Sequence, residues 1–161
     1  MLNQTGLSQA SLDQIEMEAA KYPAERRSSA IMAALTIAQD EHQFLSKELI
    51  EHVASIIGIP PVRAYEVATF YSMYQHKPCG ENVIKVCTNI SCMLRGSGEV
   101  VSHLESRLGI KLGEVTADGK IGLQEVECLA ACAGAPMLQL NKQYVENLTP
   151  ESIDEMLESL S

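Results

Sequence analysis

Four of the five cysteines fall into two close pairs in the second half of the chain. Cys87 and Cys92 have four residues between them, Cys128 and Cys132 have three, and 35 residues separate the two pairs. Each pair follows a run of residues that is typical of a β-strand, at 83–86 and at 120–126. Loops that leave the same end of one sheet would bring four thiolates together, so the sequence predicts a metal site.

The cysteine spacing also bears on which metal the site would hold. Structural zinc ribbons favour two C-x2-C knuckles with an insert of about 15 to 20 residues, and plant-type ferredoxins bunch three cysteines, so neither pattern matches. A binuclear iron-sulfur cluster is larger than a zinc ion, and the wider cysteine loops favour a 2Fe-2S cluster. Zinc and a redox-active pair of thiols remain alternatives, although the chain has no C-x2-C motif.

Other candidate sites in the sequence are weak. Cys79 has no cysteine close to it in sequence, and we expect it to lie outside the ligand set, the alternative being an occasional disulfide or a substitute ligand. A dinucleotide-binding glycine motif at residues 96–98 would need glycine where Val101 stands. No spacing typical of metal binding or acid-base catalysis links the four histidines, which are His42, His52, His76 and His103. The chemistry left to the chain is one-electron transfer at a cluster.

The composition describes an acidic globular chain. Its 161 residues carry 12 basic and 21 acidic side chains, a formal net charge of −9. Residues 81–161 hold 6 of the basic and 12 of the acidic ones, a net charge of −6, which disfavours nucleic acid and favours a basic protein surface as partner. No apolar run approaches the roughly 18 to 20 residues of a membrane span, and no basic leader opens the chain, so we expect a cytoplasmic protein.

The periodicity of the first half predicts a helical bundle over residues 1–76. Apolar residues recur at helical spacing, Ser46 is a predicted N-cap, Gly58 a predicted helix end and Pro61 a predicted first residue of a helix. A DNA-binding helix-turn-helix is the alternative that the acidic balance opposes. The predicted inward-facing residues are Leu12, Ile15, Ala19, Tyr22, Ile31, Ala34, Leu35, Ala38, Leu49, Val53, Ile56, Ile57, Tyr65, Val67, Ala68 and Tyr71.

Residues 77–161 predict one small sheet with helices against it, giving an α+β chain of two domains. After the strand at 83–86, a helix ends at Gly109, and a type I′ hairpin is predicted around Asp118-Gly119 with strands at 114–117 and 120–126. Further strands are predicted at 137–140 and 143–145, and Thr149 is predicted to cap the last helix. Pro136 is a candidate cis-proline.

These motifs resemble a known family over nearly the whole chain. The two cysteine pairs look like the ligand pattern of the thioredoxin-like 2Fe-2S ferredoxins, and specifically of the small iron-sulfur subunits of NADH dehydrogenase in respiratory complex I. The resemblance includes the Val67-Ala68-Thr69-Phe70-Tyr71 stretch and the pattern formed by Asp118, Cys128, Leu129, Cys132, Ala135 and Pro136. It implies that residues 77–161 form a thioredoxin-like domain whose cluster is bound by Cys87, Cys92, Cys128 and Cys132.

The chain departs from the family pattern at two places. Ile121 and Gly122 stand where the family usually has Phe and then Ser or Thr, and Ala130 replaces the usual Gly within the second cysteine pair. We expect Gly122 to weaken a strand. Ala130 adds a methyl group near the cluster loop and is expected to influence the reduction potential.

The resemblance also implies partners and a place of action. The chain would carry electrons beside a flavoprotein that binds FMN and NADH, within the peripheral arm of complex I at the cytoplasmic face of the inner membrane. We expect peptide N–H groups at 88–91 and 129–131 to compensate the cluster's negative charge, with Lys85 and Arg95 the nearest cations in sequence. The helical bundle is expected to supply much of the docking surface. The alternatives are the equivalent subunit of an NAD-linked hydrogenase or formate dehydrogenase, a freestanding ferredoxin, and a zinc-stabilised interaction module.

Overall fold

A computed structural model describes residues 6–160, and the chain divides into two compact units between Pro78 and Cys79. The helices are α1 Gln9–Ala19, α2 Ile31–His42, α3 Lys47–Ile57, α4 Pro61–Phe70, α5 Ile90–Leu94, α6 Ser97–Leu108 and α7 Pro150–Glu158. The strands are β1 Asn82–Cys87, β2 Ile121–Val126, β3 Leu138–Leu140 and β4 Gln143–Val145. Short 3-10 helices are present at Ala24–Ala30 and Cys132–Gly134. The predicted mixture of helices and sheet is confirmed.

The first unit is helical, and its helix ends lie where the sequence signals place them. The Ser46 hydroxyl accepts a hydrogen bond from the Leu49 N–H and caps α3, Gly58 closes the same helix, and Pro61 opens α4. The core is formed by one face of each helix. Its largest fully buried side chains are Ile15, Leu35, Leu45, Leu49, Ile50 and Val53.

Two tyrosines that the pattern predicted to face inward are partly exposed. Helix α1 ends before Tyr22, and α4 ends before Tyr71, so each tyrosine lies beyond the helical stripe that it was assigned to. Tyr74 is the buried tyrosine of the first unit instead, and its hydroxyl donates to the Met32 carbonyl oxygen at 2.9 Å. The prediction for Tyr22 and Tyr71 was wrong because it extended each helix past its last turn.

The second unit is built on a four-stranded sheet in the order β2-β1-β3-β4. Strand β1 pairs in parallel with β2 and antiparallel with β3, and β3 and β4 form a hairpin. Helices α6 and α7 contribute to the apolar core of the sheet through Leu104 and Ile153. The Thr149 hydroxyl and Ser152 form a reciprocal capping box at the start of α7, which confirms the predicted cap.

The predicted hairpin before β2 is wrong in its turn type and in its first strand. Residues 114–117 form only an isolated bridge, between Val115 and Gly122. The Gly119 N–H donates to the Thr116 carbonyl oxygen at 2.8 Å, and among the described residues Gly119 has a positive φ of 76°, whereas Ala117 and Asp118 do not. A type I′ turn needs positive φ at both central residues, so this is a longer loop closed by a glycine.

Gly122 and Gly80 allow two backbone segments to lie in direct contact. A Cβ atom at Gly122 would overlap the Cys79 carbonyl oxygen, and one at Gly80, where φ is +91°, would lie 2.7 Å from the Gly122 nitrogen. Gly122 is nevertheless paired with Val83 inside β2. The expectation that Gly122 only weakens the strand therefore missed its role, which is to admit the start of the second unit against β2.

None of the helices in the described part of the chain is both long and apolar enough to pass through a bilayer.

Candidate metal centre

The parallel pairing of β1 and β2 places the two cysteine-bearing loops at one edge of the sheet. Cys87, the last residue of β1, is in register with Val126, the last residue of β2. The first cysteine loop, residues 87–92, leaves the sheet there and continues into α5, and the second, residues 127–132, leaves beside it. Both loops thus start from the carboxyl ends of neighbouring parallel strands.

The first cysteine pair is buried and the second is exposed. Cys87 and Cys92 are 3% and 1% exposed, and they form a small apolar cluster with Ala135 and Met137. Leu129, from the second cysteine loop, packs against the same cluster. Cys132 lies close enough to Cys92 for the two sulfurs to interact electrostatically. The structure therefore brings members of both pairs to one place, with an apolar wall on one side and solvent on the other.

Backbone N–H groups point at the Cys87 sulfur. Burial by itself raises the pKa of Cys87, but the N–H groups of Asn89 and Leu129 and the Cys92 thiol outweigh it, so the pKa lies below its ordinary value. Burial, together with the hydrogen bond to Cys87, raises the pKa of Cys92. The surroundings thus favour a thiolate at Cys87, and a thiolate is the form in which cysteine binds metal. Asn89 and Leu129 belong to the two segments whose N–H groups the sequence analysis singled out.

Ala130 has a conformation that favours glycine. Its φ is +61°, in the left-handed region, and its N–H lies 3.4 Å from the Cys128 sulfur, toward which it donates. The family's usual glycine at this position has a physical reason, because the loop must turn its N–H toward a cysteine sulfur. The Ala130 side chain itself is exposed.

The donor set fits a binuclear iron-sulfur cluster. Among residues 6–160, no three His, Cys, Asp or Glu side chains are already grouped so as to hold one metal ion. A 2Fe-2S cluster takes four thiolates in total and distributes them over two irons. Two cysteine pairs on adjacent loops, with N–H groups directed at their sulfurs and an apolar wall, supply that chemistry.

Comparison with known proteins decides the family. The sequence model of the thioredoxin-like [2Fe-2S] ferredoxins matches residues 15–161. The chain belongs to this family. Its members' name states the cofactor, a 2Fe-2S cluster, which agrees with the donor set of this ferredoxin.

Relatives of the ferredoxin come from bacteria and from a eukaryote. The NADH-quinone oxidoreductase E subunit of Rickettsia bellii is 47% identical over 141 residues, which are 87% of this chain and 84% of that protein. The mitochondrial NADH dehydrogenase [ubiquinone] flavoprotein 2 of Dictyostelium discoideum is 44% identical over 154 residues, 95% of this chain. The ferredoxin spans 62% of the Dictyostelium protein's length.

A solved structure shares the fold. The NAD+-reducing [NiFe]-hydrogenase in its air-oxidized state contains a chain that superposes on 81% of the ferredoxin with a TM-score of 0.71, and 22% of that chain is covered. The sequences are 22% identical, so the likeness is one of fold alone.

Cys79 lies away from the two cysteine loops in the ferredoxin. It is 7% exposed at the start of the second unit, where its carbonyl group meets Gly122. Burial raises its pKa, and the Lys85 ammonium opposes that shift. All five cysteines lie outside disulfides.

Sequence reasoning missed two polar residues of the site. Asn89 accepts a hydrogen bond from the Ile90 N–H and so caps α5, and its side-chain amide donates to Glu127 at 3.3 Å. An Asn before a short apolar run is an N-cap signal and could have predicted α5. Nothing in the sequence pairs Asn89 with Glu127, because that contact depends on the register of β1 with β2.

Proposed function

We propose that this ferredoxin is the electron-transfer subunit of an NADH:quinone oxidoreductase, respiratory complex I. In it, Cys87, Cys92, Cys128 and Cys132 bind one 2Fe-2S cluster, and the chain docks on the flavoprotein subunit that binds FMN and NADH. The two domains are a helical bundle at 1–76 and a thioredoxin-like cluster domain at 77–161.

One observation carries the proposal. Two cysteine pairs far apart in sequence begin at the register pair Cys87 and Val126, at one edge of the sheet, in a chain whose family is named for its 2Fe-2S cluster. The choice of complex I rests on relatives that are 44% and 47% identical and carry NADH dehydrogenase names.

The site residues have two tasks in electron transfer. When bound, the cluster supplies one-electron chemistry, and reduction adds a negative charge. The N–H groups of Asn89, Leu129 and Ala130 point toward cysteine sulfurs and stabilise that charge. The burial of Cys87 and Cys92 keeps water from one side of the site, whereas the exposed second pair leaves the other side open to a partner.

The helical unit offers apolar surface for docking. Phe70 is 79% exposed and Val62 is 61% exposed, and the Phe70 ring meets Tyr71 edge-on at 5.1 Å between centroids. Large apolar side chains exposed to this degree are typical of protein interfaces. We propose that this surface contacts the flavoprotein subunit and that the chain associates with the membrane only through the complex.

Two alternatives make different predictions. An equivalent subunit of an NAD-linked hydrogenase would hold the same cluster, and the shared fold of the hydrogenase chain agrees with it, but at 22% identity that likeness does not reach function. A zinc-stabilised interaction module would carry no electrons at all.

Reduction by NADH tests the proposal. The full chain, purified without oxygen, is mixed with the flavoprotein subunit of a complex I and with NADH, and the visible spectrum is recorded. We expect the cluster to be reduced only when the flavoprotein is present, whereas dithionite reduces the chain alone. Reduction that fails with the complex I flavoprotein but succeeds with the diaphorase flavoprotein of a hydrogenase would reassign the host. A Phe70→Ser chain that binds the flavoprotein as tightly as the wild type would exclude the proposed docking surface.

A further inference from the structure

Two carboxylates join the cysteine loops side chain to side chain. The Thr88 hydroxyl donates to Glu125 Oε1 at 2.6 Å, and Asn89 Nδ2 donates to Glu127 Oε2 at 3.3 Å. Both donors belong to the first cysteine loop. Both acceptors lie on the chain that leads into the second. The loops are therefore tied to each other by polar contacts outside the sheet.

Glu127 is the better placed of the two carboxylates. Its carbonyl oxygen is 3.3 Å from the Cys87 sulfur, and it directly precedes Cys128 in sequence. Its side chain holds Asn89, whose own N–H points at the Cys87 sulfur and whose side chain caps α5. One residue thus touches the first pair through its backbone, the first loop through its side chain and the second pair through the chain.

The charge of Glu127 bears on the same sulfur. Its carboxylate acts on Cys87 so as to disfavour negative charge there. An electron added to a cluster on these cysteines is disfavoured for the same electrostatic reason. Glu127 is exposed, so water and salt reduce the effect without abolishing it.

We propose that Glu127 is a positioning residue that holds the two cysteine loops together and whose charge lowers the reduction potential of the cluster. This inference rests on the proposed function, because it takes the cluster to be bound by these loops. In the reduction, one electron passes from an external donor, dithionite in the test, to the cluster. No bond to Glu127 forms or breaks, and no proton moves to it.

The test separates charge from hydrogen bonding. Glu127→Gln removes the charge and keeps an oxygen that can accept from Asn89, whereas Glu127→Ala removes both. Glu81→Gln is the matched control, since Glu81 is an exposed carboxylate before the opposite end of β1. Six strand residues at roughly 3.3 Å each place it about 20 Å from Cys87.

The full chain is loaded with cluster, and its midpoint potential is measured by EPR-monitored titration. We expect Glu127→Gln to raise the equilibrium constant for reduction about threefold, about 28 mV at 59 mV per tenfold change. Glu81→Gln is expected to change it much less. Glu127→Asp keeps the charge and should stay near the wild-type potential. We also expect Glu127→Ala to lose iron to a chelator faster than Glu127→Gln.

The outcomes distinguish this inference from the proposed function. A wild-type chain that holds no cluster would overturn both. A loaded Glu127→Gln chain whose potential shifts no more than that of Glu81→Gln would overturn the charge effect alone. Equal iron loss from the Ala and Gln variants, or a Gln variant that cannot hold iron, would overturn the positioning role.

Discussion

Replacing Ala130 by glycine should stabilise the second unit. Ala130 has a φ of +61° on the second cysteine loop, where a side chain costs about 1 to 2 kcal/mol relative to glycine. Glycine in turn loses about 0.4 to 1 kcal/mol through the greater entropy of the unfolded chain. The exposed Ala130 methyl group gives up no packing when it is removed, and the N–H toward Cys128 is kept. We therefore expect a net stabilisation of about 0.5 to 1 kcal/mol.

Urea unfolding of the cluster-free chain, with its thiols reduced, measures this difference by circular dichroism. Ala133→Gly is the matched control, because Ala133 is also exposed and is absent from the positive-φ residues of the described chain. There the same substitution should destabilise by about 0.5 to 1 kcal/mol. Opposite signs for the two variants support the argument. A loss of stability in Ala130→Gly that matches the loss in Ala133→Gly would refute it.

Three further substitutions test other parts of the structure. Gly122→Ala should destabilise the chain by about 2 kcal/mol, because its Cβ would overlap the Cys79 carbonyl, whereas Gly98→Ala, which meets nothing within 4 Å, should not; thermal unfolding compares them. Burial raises the pKa of Cys79, so its contribution to stability is complete below the unfolded pKa of about 8.5 and declines as pH rises toward the folded value. Cys79→Ala should therefore flatten the decline in unfolding free energy above about pH 8.5, and an unchanged slope would contradict this. Tyr74→Phe, which removes the hydroxyl bonded to Met32, should cost about 1 kcal/mol in urea unfolding, and a neutral effect would exclude that bond as a stabilising contact.

Local signals were sufficient for most of the helices. Ser46, Gly58 and Pro61 act through hydrogen bonds and backbone angles within a few residues, so their roles can be predicted without the rest of the fold. The family and the mixed fold were likewise correctly predicted, because two cysteine spacings and a helical motif together are specific.

Features that depend on distant contacts could not be predicted in this way. Gly122 was taken for a weak strand residue because the approach of the Cys79 backbone appears only in the folded chain. The hairpin before β2 was wrong because sequence does not specify which residue near Asp118 takes positive φ, and Gly119 does. The link between Asn89 and Glu127 follows from strand register. The assignment of the four cysteines as ligands, and the domain boundary at 76, stay predictions.

The central claim is that the two cysteine pairs bind a redox-active 2Fe-2S cluster. The most direct test is EPR spectroscopy of the anaerobically purified full chain before and after dithionite, with iron, sulfide and zinc assays on the same sample. We predict a brown protein with two irons and two sulfides per chain that gains a spin-half signal on reduction. A colourless chain that stays EPR-silent and holds zinc after attempted cluster reconstitution would contradict the account.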